Sequence, residues 1–159
     1  MARVLIVGCG CRGCSLARAL REDGHAVRGT TRAAGGLAQI EAAGAEAVVA
    51  DPDRLGTVMA QLAGVAVVCW LMGSAAGPTA SELHGPRLET LLERVVDTPV
   101  RGVVYEAAGT VEGRLLAEGA AAVRAAAGRW RVPAEVVEAD PADHSAWLEA
   151  TRAAVGRLL

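Results

Sequence analysis

From Arg3 to Arg32 the chain reads RVLIVGCGCRGCSLARALREDGHAVRGTTR, and this stretch constrains the fold more than any other. An apolar run from Val4 to Val7 predicts a strand, Gly8, Gly10 and Gly13 a turn, about Arg12 to Glu22 a helix, and Ala26 to Thr31 a second strand. A G-x-G-x-x-G spacing that leaves a strand and opens a helix inside one βαβ unit is the context of a dinucleotide site. Gly8 would make the tight turn, Gly10 would admit a pyrophosphate without a Cβ in the way, and Gly13 would let helix and strand pack closely. The N–H groups and positive dipole end of the helix would then face the phosphates.

The second strand bears on which dinucleotide. An NAD site carries Asp or Glu about 20 residues on for the ribose 2′-hydroxyl, whereas this chain has Thr30, Thr31 and Arg32. Hydroxyls and a guanidinium suit a 2′-phosphate, with Arg12 as a second cation, so NADP is preferred and NAD is the alternative.

At 159 residues and 52% hydrophobic, the chain is the size of one domain, 1–159, with enough apolar surface for a core. Net charge is −2 and the basic residues are scattered, which argues against nucleic acid or an anionic membrane as partner. All 16 basic residues are Arg, so no lysine chemistry is available. With no apolar run of about 20 residues, a soluble cytoplasmic protein is expected. Three of the four cysteines, Cys9, Cys11 and Cys14, lie in the glycine turn and read as small fillers, since no second Cys/His pair stands at zinc spacing. Cys11, at the helix N-terminus, is the thiol whose oxidation could block cofactor binding.

Beyond Arg32 the pattern keeps alternating. Helices are expected at Leu37–Ala43, Arg54–Ala63, within Ala80–Asp97, at Val111–Gly128 and after Asp140-Pro141, with Asp140 as N-cap of the last. Strands are expected at Ala45–Ala50, Val65–Leu71, Arg101–Tyr105 and Val132–Val137. The small-residue loop Met72–Pro78 follows the central strand and is a candidate wall for a ligand. The fold class is α/β, a single doubly wound parallel sheet in strand order 3-2-1-4-5-6 with helices on both faces.

With GCGCRG after the first strand, GHAVRGTTR around the second, Asp51 after the third and RGVVY at the fifth, the whole chain resembles the short-chain dehydrogenase/reductase superfamily. It is most similar to the atypical or extended NAD-dependent epimerase/dehydratase-like branch. The resemblance implies that Gly8, Gly10, Gly13, Arg12, Thr31 and Arg32 bind the pyrophosphate and adenosine ribose. It implies also that Asp51 lies beside the adenine and that the backbone at Trp70 and Leu71 runs along the cofactor. A two-fold dimer through the Leu88–Val96 helix and the Ala-rich fifth helix is implied as well.

The family's catalytic half does not match. Its Tyr-x-x-x-Lys pair is absent: the one tyrosine, Tyr105, lies in a strand, position 109 is Gly, and Glu106-Ala107-Ala108 replaces the family serine. A stand-in general base would be Glu106, at the end of the fifth strand, if burial raised its pKa. Glu138, Asp140 and His144 are weaker candidates; His25 and His84 read as surface residues, and Trp130 and Trp147 as core or interface anchors. Three readings stay open: an oxidoreductase-like enzyme with another proton route, a non-enzymatic NADP-binding sensor or partner subunit, and a site for another nucleotide such as FAD or a coenzyme A derivative.

Overall fold

The structure, a computed structural model, describes residues 2–75 and 77–159, so position 76 of the Met72–Pro78 loop lies outside the described residues. The strands are β1 (Arg3–Val7), β2 (Ala26–Thr31), β3 (Glu46–Val49), β4 (Val67–Trp70), β5 (Gly102–Glu106) and β6 (Ala134–Val137). The helices are α1 (Cys11–Glu22), α2 (Leu37–Ala42), α3 (Leu55–Met59), α4 (Ala80–Leu83), α5 (Pro86–Val95), α6 (Gly113–Trp130) and α7 (His144–Leu158), with a 3-10 turn at Ala34–Gly36. All pairings are parallel and the sheet order is β3-β2-β1-β4-β5-β6, as the alternating pattern predicts. No helix among the described residues is long and apolar enough to cross a membrane.

Strand periodicity divides the core. Val4 and Ile6 of β1 point to the layer of α1, α2 and α7, where they meet Leu16, Leu20, Ile40, Cys69, Val104 and Trp147. Leu5 and Val7 point the other way, to Val58, Trp70, Leu88, Leu91, Val103, Tyr105 and Val123 beneath α3, α5 and α6. Because helices cover both faces, residues 4–7 of β1, Val67–Trp70 of β4 and residues 103–105 of β5 are continuous apolar runs rather than alternating.

Three expectations are corrected. The helix expected within Ala80–Asp97 is two helices, broken at His84-Gly85, because Pro86 takes the first position of a new helix. The helix expected at 54–63 is confined to Leu55–Met59. The last helix is capped by Asp143, whose Oδ1 accepts the Ala146 N–H at 3.2 Å; Asp140 instead accepts the Ala142 N–H in the turn through Pro141. In addition, β5 runs one residue past Tyr105, so Glu106 is its last residue. By the strand's alternation its side chain falls on the same face as Val104, under α1 and α7.

Candidate nucleotide site

The glycine turn lies where strand order reverses between β1 and β4, at the C-terminal edge of the sheet. Gly8 has φ +83°, and a Cβ there would collide with Met72 Cε and come within 2.8 Å of the Leu71 carbonyl oxygen. The turn is pinned to β2 by two bonds, from Gly8 N–H to Thr30 Oγ1 at 3.2 Å and from Cys9 N–H to the Thr30 carbonyl at 2.9 Å. A Cβ on Gly13 would stand 3.2 Å from Cys9 Sγ and 3.3 Å from the Gly8 carbonyl oxygen, so α1 presses directly on the turn. Gly10 differs from both. As N-cap of α1 it has φ −83°, which any residue can adopt, and a Cβ there would meet no atom within 4 Å.

A cleft of about 410 Å³ opens over this turn. Its floor is Gly8, Cys9 and Gly10; Thr31, Arg32, Gly36 and Gln39 line one side, and Leu71, Met72, Ser74 and Ala75 the other. Arg12 lines it as well. The side chain of Arg32 is 45% exposed and ion-paired through Nη1 to Asp51 Oδ1 at 2.9 Å and Asp53 Oδ2 at 2.6 Å. That bond to Arg32 holds the Asp53 carboxyl below its ordinary range. Asp51 also accepts the Asp53 N–H, so it shapes the turn after β3 as well as gripping Arg32. Trp70 is fully buried in the α3/α5/α6 layer with its Nε1–H on the Leu83 carbonyl; the wall of the cleft begins at Leu71.

Among the thiols, Cys11 is exposed and receives a 3.6 Å contact from Gln39 Nε2, whereas Cys9, Cys14 and Cys69 are buried. Burial, with Cys14 alongside, pushes the Cys9 thiol far up, and burial pushes Cys69 up to about 12, so neither is a thiolate at neutral pH. No cluster of three or more His, Cys, Asp or Glu side chains among the described residues is arranged to hold a metal ion.

Glu106 is held in a way the sequence does not disclose. It is fully buried, and its carboxylate accepts four hydrogen bonds: two from Arg12 Nη2 at 3.0 and 3.1 Å, one from the Gly73 N–H at 2.8 Å, and one from Trp147 Nε1–H at 2.8 Å. Arg12 in turn lies over the Trp147 ring, its guanidinium carbon 5.5 Å from the centroid, and its buried Nε–H has no partner. The first turns of α1 and α7 thus converge on the end of β5. A general base needs a face open to the proton it removes. Glu106 presents none, because its oxygens are turned toward Arg12, Gly73 and Trp147.

One further sequence reading changes. His84 is buried, not superficial: Nε2–H donates to the Met72 carbonyl at 2.9 Å, which leaves Nδ1 to accept the Tyr105 hydroxyl proton at 2.6 Å. Burial lowers the His84 pKa, and burial beside the Glu106 charge raises that of Tyr105, so both are neutral. Trp147 is a fully buried core residue, as expected, but one with a polar task. His144 and Glu138 are exposed; Glu138 pairs with Arg124.

No protein-family model matches the chain, and no curated protein matches it in sequence. Solved structures do share its fold. The structure of BdcA from E. coli has a TM-score of 0.71 at 18% identity, covering 94% of this chain and 88% of that one. UDP-N-acetylglucosamine 4-epimerase from Bacillus cereus has a TM-score of 0.66 at 16% identity, covering 86% of this chain. Triphenylmethane reductase from Citrobacter sp., solved with NADP(H), gives 0.65 at 14% over 86%. This chain spans 53% of the epimerase and 48% of the reductase, about half the length of each. At these identities the likeness is one of fold.

Proposed function

We propose that the protein binds a nicotinamide dinucleotide, NADP or NAD, through the cleft over its glycine turn, as a binding module and not through the tyrosine–lysine chemistry of the family it resembles. The observation that carries this reading is Gly10. The glycines at 8 and 13 are required by the fold itself, one for its positive φ and both for contacts a Cβ would spoil. Gly10 answers to no such demand, and its bare Cα faces open space at the N-terminus of a 12-residue helix, where a phosphate is stabilised by free N–H groups and the dipole. The fold's likeness to a reductase solved with NADP(H) supports the same ligand class.

In this reading Gly8, Gly10, Cys11, Arg12 and Gly13 surround the pyrophosphate, Thr31 and Arg32 the adenosine ribose, Asp51 the adenine, and Leu71 the far wall. Arg32 meets a 2′-phosphate in competition with Asp51 and Asp53, so the preference for NADPH over NADH is expected to stay within about tenfold, or about 1.4 kcal/mol. The burial and four donors of Glu106 support a positioning role, holding Arg12 in place, over a role as base. Four free thiols fit a reducing compartment such as the cytoplasm.

Calorimetric titration of NADPH and NADH into wild type and Arg32→Ala tests the proposal. Binding of both, with NADPH losing its advantage in the variant, is the expected result. Absence of heat from either nucleotide would remove the reading. An assay of NADPH oxidation against carbonyl and quinone acceptors should show no turnover; sustained turnover would restore the oxidoreductase alternative.

A further inference from the structure

The doubly wound fold offers two mononucleotide halves, one over β1–β3 and one over β4–β6, and a dinucleotide lies across both at the point where strand order reverses. In this chain the first half is the open cleft already described. In the second half, the place next to the glycine turn is filled by the protein. Directly past the glycine turn, the position over the end of β5 is taken by the Arg12–Glu106 ion pair with Trp147 beneath it, and Glu106, Trp147 and Gly73 are all buried.

Backbone seals what the side chains leave. A Cβ on Gly109 would collide with the Gly73 carbonyl, and one on Gly73 with the Ala108 carbonyl, so the loops after β4 and β5 touch backbone to backbone at these glycines. Two hydrogen bonds hold them there, from Val111 N–H to the Gly73 carbonyl at 3.0 Å and from Thr110 N–H to Ser74 Oγ at 3.3 Å. Arg12, Ser74 and Ala75 line the cleft, whereas Gly73 and Glu106 do not, and only a space of about 60 Å³, lined by Gly8, Gly10, Arg12, Gly13 and Leu71, adjoins it at Arg12. A groove of about 310 Å³ lies farther on, between α6 and the ends of β5 and β6, but it shares no lining residue with the cleft. The residues present therefore fit a nucleoside and its pyrophosphate and do not fit a nicotinamide over the end of β5.

We infer that the ligand class this site recognises is a nucleoside diphosphate, and that a dinucleotide is held by that half alone with its second nucleoside outside the fold. The inference rests on the reading of the glycine-turn cleft as a nucleotide site and narrows it. The mechanism is energetic as well as steric. Admitting the nicotinamide would mean separating Arg12 from a fully buried carboxylate, which would leave that charge without its partner. A nicotinamide left in solvent avoids that cost and forgoes any contact.

Titration of wild-type protein with ADP and with NADH tests this, with 2′-phosphoadenosine 5′-diphosphate and NADPH as the phosphorylated pair. Within each pair the affinities are expected to agree within fivefold, and bound NADH should keep the fluorescence of free reduced nicotinamide. A dinucleotide that binds more than fivefold tighter than its diphosphate, or a blue-shifted and enhanced emission on binding, would overturn the inference while leaving the nucleotide site standing. If none of the four ligands binds, the nucleotide site itself falls, and the inference with it.

Discussion

Glu106 shows how far a residue's surroundings govern its chemistry. A lone carboxylate at the end of a central strand reads as a base; the same carboxylate with four donors is an anchor. Glu106→Gln removes the charge that compensates Arg12, which is itself mostly buried, and is expected to lower stability by about 2–4 kcal/mol, less than a fully buried pair because Arg12 keeps some solvent. Thermal unfolding would register this as a fall of roughly 4–16 °C in Tm. An unchanged Tm would mean that the pair does not hold the loops together. Gly10→Thr probes the opposite case. Threonine is an acceptable N-cap and its Cβ meets nothing in the protein, so Tm should move by less than about 2 °C. Affinity for NADH and ADP should nevertheless fall more than tenfold, because the added side chain stands where the phosphates approach. The glycine spacing was legible because it is local. The partners of Glu106 were not, since Arg12, Gly73 and Trp147 lie 94, 33 and 41 residues away and no periodicity links them.

The elements follow the same division between local and distant causes. Strand order and the alternation of helices and strands follow from apolar runs and glycine punctuation, and the structure reproduces them. The break between α4 and α5 had a local signal, Gly85-Pro86, but the heptad-like leucines beyond it read as one longer helix. His84 is hidden from sequence reading for a related reason: a histidine beside Gly and Pro looks superficial unless its partners, Tyr105 and Met72, are known to lie beneath it. Its burial has a pH consequence. A histidine whose pKa is lower folded than unfolded takes up a proton on unfolding, so its contribution to stability is present above the unfolded value of about 6.5 and is lost as pH falls from there toward the folded value. Urea unfolding of wild type between pH 7.5 and 5.5 should show a declining midpoint, and His84→Gln should flatten part of that decline. Parallel slopes would assign the pH dependence to other groups.

For the molecule as a whole, the faces of α5 and α6 raise the matter of assembly. Gly119, Ala120 and Ala126 are buried within the domain, Gly119 so closely that a Cβ would strike the Tyr105 hydroxyl, whereas Ala117, Ala121 and Ala125 are exposed. Val96 is exposed at the end of α5, and a groove lined by Leu92, Ala122, Ala125 and Trp130 runs between the two helices. If a pair forms through this face, light scattering should give twice the 16.2 kDa chain mass and Ala125→Glu should return it to the monomer. A monomeric wild type would set the dimer aside.

The clasp of Arg12, Glu106 and Trp147 also has a consequence in time. Its members come from the first, middle and last thirds of the chain, and domains assemble as the chain leaves the ribosome, N-terminal parts first. A nascent chain with its first hundred residues exposed already owns every glycine of the phosphate turn, yet Arg12 has neither its anion nor its ring. The turn is complete early in synthesis, and the boundary that limits what it can hold arrives only with the final helix.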